Sequence, residues 1–231
     1  MRSLILILLF FNLSATAQQP TKENPYQLDL IENVAEYKQM IAQNEAMQVV
    51  DLKSFIPSLV LDIRYATTNN FTNEVVYPEA EAFTRFPVAV ALKNIQQELE
   101  KSNLGLKIFD AYRPYAATLR FYELYPDTTF VAAPWHGSRH NRGAAIDLTL
   151  IDLSTGKALE MPTPFDDFTK KAAPDYTELP DNVKRNRNLL ISIMEKHGFK
   201  VYYAEWWHFD FQGWEQFPLM NLSFDELRSQ Q

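Results

Sequence analysis

The sequence predicts an α+β fold, a single domain built on a central, largely antiparallel sheet flanked by helices. Three observations carry that prediction. Apolar residues make up 46% and charged residues 22% of 231 positions, a globular composition with enough chain for one sizeable core. Segments of strand-like and helix-like apolar periodicity are mixed, without the strict β-α alternation of a parallel, doubly wound sheet. No internal repeat and no convincing domain boundary divides the chain.

Met1-Arg2 supplies a positive charge, Leu4 to Leu13 form an apolar run interrupted only by Asn12, and Ala15-Thr16-Ala17 has the small-x-small pattern of a signal-peptidase site. A membrane anchor is the competing reading, but a spanning helix needs about 20 apolar residues and this run is far shorter. Residues 1–17 are therefore expected to be a signal peptide. The mature chain is expected to start at Gln18, outside the cytoplasm (periplasmic or secreted), with no stable membrane anchor. The absence of cysteine at the cleavage point excludes a lipid anchor there. Residues 18–46 read as a polar leader and a helix, since Leu30, Ile31, Val34, Tyr37 and Ile41 recur at helical spacing from Tyr26 to Ala46. Residues 47–231 form the main domain.

Within that domain, Met47 to Leu52 and Ser58 to Tyr65 read as strands separated by Pro57, and the chain from Phe71 to Phe86 is irregular. Val88 to Leu99 is helical, and Leu104 to Asp110 is a strand leading into Tyr112-Arg113-Pro114. A helix follows from Pro114, because proline is tolerated in a first turn. Ala144 to Ile151 is a strand, and Asp181 to His197 is a helix entered after Pro180 and stopped by Gly198. Val201 to Phe211 is aromatic-rich and extended.

Charge and composition exclude several functions. A net charge of −7 argues against a nucleic-acid partner, which would need a basic face. Zero cysteines exclude disulfides, thiolate zinc sites and a cysteine nucleophile together. A transition-metal site must then be built from Asp, Glu and four histidines.

Two stretches concentrate chemistry. In Ser138-Arg139-His140-Asn141-Arg142-Gly143-Ala144-Ala145-Ile146-Asp147, a strand from Ala144 turns Ile146 and Leu148 to one face and Asp147 and Thr149 to the other. Gly143 can turn the loop so that His140 approaches Asp147. Taken alone, the pair reads equally well as a hydrogen-bonded histidine and a solvated aspartate. The second stretch, Glu205-Trp206-Trp207-His208-Phe209-Asp210-Phe211, sets a carboxylate and an imidazole among aromatics, too apolar for an ordinary charged surface. A regular strand would send Glu205 and His208 to opposite faces, so a shared site requires a bulge or bend. Together, His140, Asp147 and His208 supply two imidazoles and a carboxylate, a ligand set used by catalytic zinc with an open position. Glu205 would then stand beside the metal as a general base. His136 reads as loop or pocket wall, and His197 as a structural residue at a helix end.

The motifs Ser138-x-His140-x-x-Gly143-x-Ala145-x-Asp147 and Glu205-Trp206-Trp207-His208 resemble those of the D-alanyl-D-alanine dipeptidases, the VanX-like zinc peptidases. Asp110-Ala111-Tyr112-Arg113-Pro114, and Asp62-Ile63-Arg64-Tyr65-Ala66-Thr67 with Asn70-Phe71, resemble two further motifs of that family, in the same order. The resemblance spans roughly Leu52 to Phe211 and implies the LAS, or hedgehog-like, zinc peptidase fold. It also implies one Zn²⁺ per chain held by His140, Asp147 and His208, with Glu205 as catalytic base and Arg113 as oxyanion stabiliser. Ser138 is implied as a substrate-binding residue, or equally a loop-fixing hydroxyl, and Asp166 as a supporting residue near the site. The implied substrate is the dipeptide D-Ala-D-Ala. Related alternatives are a D,D-carboxypeptidase or L,D-peptidase acting on peptidoglycan stem peptides, and a non-catalytic zinc-containing wall-binding module. Retention of both Glu205 and Arg113 speaks against the last.

Overall fold

The computed structural model describes residues 23–231, so the expected signal peptide and most of the polar leader lie outside the described residues. In chain order the elements are β1 (Leu30–Ile31), α1 (Val34–Gln43), β2 (Val49–Asp51), α2 (Leu52–Phe55), β3 (Val60–Leu61), β4 (Phe83–Arg85) and α3 (Phe86–Glu100). There follow β5 (Leu104–Asp110), α4 (Tyr115–Leu124), β6 (Ala145–Asp152), α5 (Asp181–Lys196), β7 (Phe199–Tyr202), β8 (Glu205–Phe211), β9 (Leu219–Met220) and α6 (Phe224–Arg228).

The central sheet has five strands in the order β3-β5-β6-β8-β7. Only the β3–β5 pairing is parallel; β5–β6, β6–β8 and β7–β8 are antiparallel, as the mixed periodicity predicts. Helix α3 packs on β5, and α5 packs on β7 and also touches β6 and β8, so the middle of the sheet is covered. Covering explains why nearly every residue of β6 is buried, including Asp147 and Thr149. The strand alternates as predicted, but its polar face looks into the protein rather than into bulk water. Among the described residues, no helix is long and apolar enough to cross a membrane.

Three expectations are corrected. The helix expected from Tyr26 starts only at Val34, where the Asn33 side chain caps it by accepting a 3.0 Å hydrogen bond from the Glu36 amide. Leu30 and Ile31, which fit the helical spacing, instead pair in parallel with Leu219 and Met220. A pairing partner almost 190 residues away overrides the local periodicity. The strand expected over Ser58–Tyr65 shrinks to Val60–Leu61, because the chain winds into a 3₁₀ turn at Arg64–Ala66. The extended stretch from Val201 is a hairpin: β7 and β8 are joined through Tyr203 and Ala204.

Candidate active site

Three neighbouring strands deliver the centre of the site. In the sheet register, Asp110 on β5 stands opposite Asp147 on β6, and Asp147 stands opposite His208 on β8. Directly opposed residues share a face, so this row puts two carboxylates and an imidazole side by side. A register shift between Ile108 and Asp110 adjusts the end of β5. The bend that the Glu205–His208 spacing requires is also present. The β7–β8 ladder steps from Val201↔Phe209 to Tyr202↔Glu205, passing Trp206, Trp207 and His208 in one step. Glu205 Oε2 thereby comes within 3.8 Å of His208 Nδ1.

His140 arrives from a loop. It opens a 3₁₀ turn, His140–Arg142, that ends at Gly143 with φ +66°, a left-handed backbone that favours glycine. The turn is fixed from several directions: the Arg113 amide donates to the His140 carbonyl (3.1 Å), and the Asn141 side chain donates to the Arg113 carbonyl (2.9 Å). His140 Nδ1 donates to the Ala111 carbonyl at 2.7 Å, which turns Nε2 toward the sheet row. On His208 the assignment reverses, with Nε2 bonded to Asp210 Oδ1 at 3.0 Å and Nδ1 facing inward. Asp210 is itself held by Arg139 at 2.8 Å.

Three inward-facing atoms then converge. His140 Nε2 is 3.2 Å from His208 Nδ1 and 3.4 Å from Asp147 Oδ1, and His208 Nδ1 is 3.0 Å from the same oxygen. Ligand atoms about 2.0 Å from a tetrahedral zinc are separated by about 3.3 Å, so the triangle has the right size. The hydrogen-bond bookkeeping points the same way. With the outer nitrogens donating, both inner nitrogens of neutral imidazoles present lone pairs to each other. Asp147 Oδ1, sealed from solvent, has no hydrogen-bond partner of proper geometry. A cation is what such a cluster lacks, and the residues fit zinc. Burial acts to raise Asp147, but the adjoining imidazoles of His140 and His208 outweigh it and hold the carboxyl far below its usual range. Burial acts to lower His208, but Asp210 and then Asp147 push it well above the ordinary imidazole value, so the cluster draws in a positive charge, whether a proton or a metal ion. Glu205 is raised to about 8, first by burial and then by Asp147, against the pull of His208.

Arg113 is buried and gripped by Asp110, whose Oδ2 accepts from Nη2 at 2.7 Å and Nε at 3.1 Å. Its guanidinium carbon also lies 4.6 Å from the centre of the Phe121 ring. Asp110 Oδ1 accepts from the Tyr77 hydroxyl and the Ala111 amide, each at 2.9 Å. Asp166 sits in a loop with φ +63° and accepts from the Tyr65 hydroxyl at 3.1 Å, leaving its other oxygen buried and unpartnered. Burial raises this carboxyl well above its ordinary value, with Asp147 adding to the effect. Ser138 Oγ accepts from the His140 amide at 3.2 Å, the loop-fixing role that the sequence left open.

A cavity of about 480 Å³ joins these groups, and Arg113, Ser138, His140, Asp147, Asp166, Glu205 and His208 all line it. The seven candidate site residues named from the sequence are therefore in one place. His136 lines the cavity, as expected of a pocket wall, while His197 lies elsewhere, bonded to Glu98 at 3.0 Å. Sequence reading assigned no role to Tyr65, Asn141 or Asp210, and quoted Asp110 only within a motif. For Asp210 a signal existed, since i and i+2 on a strand share a face with His208. Tyr65 lay within a quoted family motif, but nothing there pointed to Asp166, 101 residues away.

Residues 45–225 match the model of the peptidase M15 family, described as D-Ala-D-Ala dipeptidase. The chain belongs to that family. It is 34% identical over 181 residues to the D-alanyl-D-alanine dipeptidase of Escherichia coli (strain K12), covering 78% of this chain and 93% of that one. The dipeptidase of Enterococcus faecium is 32% identical over 168 residues, 64% of this chain and 83% of its own. The solved structure of the LdcB LD-carboxypeptidase aligns with a TM-score of 0.42 at 19% identity, over 73% of this chain and 69% of that chain. Membership makes this M15 chain a metallopeptidase, a hydrolase whose metal is zinc.

Proposed function

We propose that this M15 peptidase hydrolyses the dipeptide D-Ala-D-Ala, with His140, Asp147 and His208 holding one zinc ion and Glu205 acting as general base. The observation that carries the reading is the convergence of the metal-sized triangle, a buried Glu205, Arg113 and an unpartnered Asp166 carboxylate oxygen on one cavity. Bound zinc would supply Lewis acidity, polarising the scissile carbonyl and making an attacking water more acidic. Glu205 receives the proton of the attacking water and delivers it to the leaving amine. Its burial favours the first of these transfers, since a raised carboxyl is a stronger base toward the attacking water than an ordinary one.

Arg113 faces the cavity as a permanent cation held in register by Asp110. Its N–H groups beyond those committed to Asp110 are directed to the oxygen that gains charge in the tetrahedral intermediate. Asp166 gives the free amine of a dipeptide its partner. An incoming ammonium would donate to the orphaned oxygen and favour the ionised form of this raised carboxyl, a charge-assisted hydrogen bond that an acylated nitrogen cannot supply as a cation. Leaving such a buried group unpaired discriminates strongly between substrates, and this favours free D-Ala-D-Ala over a D-Ala-D-Ala terminus on a longer peptide. The Escherichia coli and Enterococcus faecium relatives carry the same activity in their names, which supports the assignment.

The deciding experiment compares kcat/KM for D-Ala-D-Ala, its N-acetyl derivative and a stem pentapeptide, with and without a chelator. Preference for the free dipeptide, abolished by chelation and restored by zinc, is the expected result. Faster cleavage of either blocked substrate would make the chain a carboxypeptidase. We also propose export, supported by the charged start, the apolar run and Ala15-Thr16-Ala17. Protein recovered from its native host should begin at or near Gln18 outside the cytoplasmic membrane, and an intact Met1 on cytoplasmic protein would exclude it.

A further inference from the structure

We infer that the segment ahead of the family-matched region, Tyr26–Ile31, positions the outer wall of the substrate cavity, the chain from Ala132 to Ser138. The inference rests on the dipeptidase reading for its kinetic effect. The family match begins at residue 45, so this segment lies outside it.

The wall needs outside support. Ala132, Ala133, His136, Gly137 and Ser138 all line the cavity, yet between α4 and the turn at His140 the chain forms no helix or strand. Its backbone is held by side chains from behind. The Tyr115 hydroxyl donates to the Pro134 carbonyl at 2.9 Å. The Leu219 side chain fills the space at Gly137, where a Cβ would lie 2.8 Å from Leu219 Cδ2 on a backbone with φ +72°. These two supports, Tyr115 and Leu219, form a small buried cluster separate from the main core, and its third member is Leu30. Leu30 is locked there by β1–β9 pairing, extended by a 2.9 Å hydrogen bond from the Asn221 amide to the Ile31 carbonyl.

The other end of the segment reaches the wall directly. The Tyr26 ring stands edge-on to Trp135, with centroids 6.1 Å apart, and Trp135 packs edge-on against Tyr122 at 5.3 Å. Trp135 also stands 6.3 Å from the His136 ring, which lines the cavity. Six residues thus brace the wall at two points: Tyr26 through Trp135, and Leu30 through Leu219 and Tyr115. The metal-ligand triangle has separate anchors, namely the Ala111 carbonyl for His140 and the sheet register for Asp147 and His208. Loss of the brace should therefore loosen substrate binding while leaving the metal in place.

The test uses the full-length chain with Tyr26→Ala and Leu30→Ala, and with Tyr26→Phe and Leu30→Met as conservative controls. Tyr26 is 43% exposed, so its truncation leaves the core intact. Expected for both alanine variants is a KM for D-Ala-D-Ala raised by about three-fold or more with kcat within about two-fold, the pattern of lost binding rather than lost chemistry. Zinc content stays at the wild-type level, and the conservative variants behave as wild type. Amide hydrogen exchange of residues 132–138 gives a readout that needs no substrate, and it should accelerate in the alanine variants alone. Unchanged KM and unchanged exchange would overturn the inference, as would a joint loss of kcat, zinc and melting temperature in the Tyr26 variant. A wild-type enzyme inactive on D-Ala-D-Ala would instead count against the dipeptidase reading, and the exchange result would still decide the brace.

Discussion

Removing the Asp110 carboxylate should both destabilise the protein and disable Arg113. Asp110 is fully buried, and its two oxygens receive four hydrogen bonds: two from Arg113, one from Tyr77 and one from the Ala111 amide. Arg113 is only 6% exposed, so Asp110→Ala leaves a largely buried guanidinium without its carboxylate. Breaking a buried ion pair from one side costs about 3–5 kcal/mol, mainly the penalty of the uncompensated charge. For a chain of this size that loss lowers Tm by roughly 6–20 °C, since each kcal/mol is worth about 2–4 °C. Replacing both partners by apolar groups should cost less than removing one, so Asp110→Ala/Arg113→Met should be more stable than Asp110→Ala alone. Calorimetry or urea denaturation measures the series, and turnover of D-Ala-D-Ala measures the lost orientation of Arg113. An Asp110→Ala protein within about 1 kcal/mol of wild type would refute the buried-charge argument, and one that keeps full kcat would refute the positioning of the arginine.

Glu205→Gln should retain zinc and lose at least about 10²-fold in kcat, the usual scale of a general base; metal analysis beside steady-state kinetics checks this, and zinc loss would make Glu205 a ligand instead. Asp210→Asn, which removes the charge behind His208 Nε2, should weaken zinc affinity by about 10–100-fold, read by chelator competition. Gly137→Ala should lower stability, because the new methyl meets Leu219 at 2.8 Å in a left-handed backbone; a melting temperature equal to wild type would contradict the described packing.

The fold class, most helices and central strands, and the candidacy of His140, Asp147, Glu205 and His208 were legible in the sequence, whereas Arg113, Ser138 and Asp166 came only with the family resemblance. The former were legible because their signals are local. Alternation set the two faces of Ala145–Asp152, proline and glycine bounded Asp181–Lys196, and the restricted supply of metal ligands singled out His140, Asp147 and His208. Even the odd Glu205–His208 spacing stated its own condition, a bend in the strand, and the register of β8 meets it. Features that depend on partners distant in sequence emerge only in the folded chain. Leu30 and Ile31 have helical spacing yet form a strand, because pairing with Leu219 and Met220 satisfies their backbone and buries Leu30. The fold sets Asp110 against Arg113 and Asp210 behind His208, pairings not assigned from the sequence. Asp166 meets Tyr65 across 101 residues, and no periodicity encodes that contact. Local patterns report which face a side chain takes; which groups share a buried volume, and so which charge is compensated, is fixed only when the chain closes on itself.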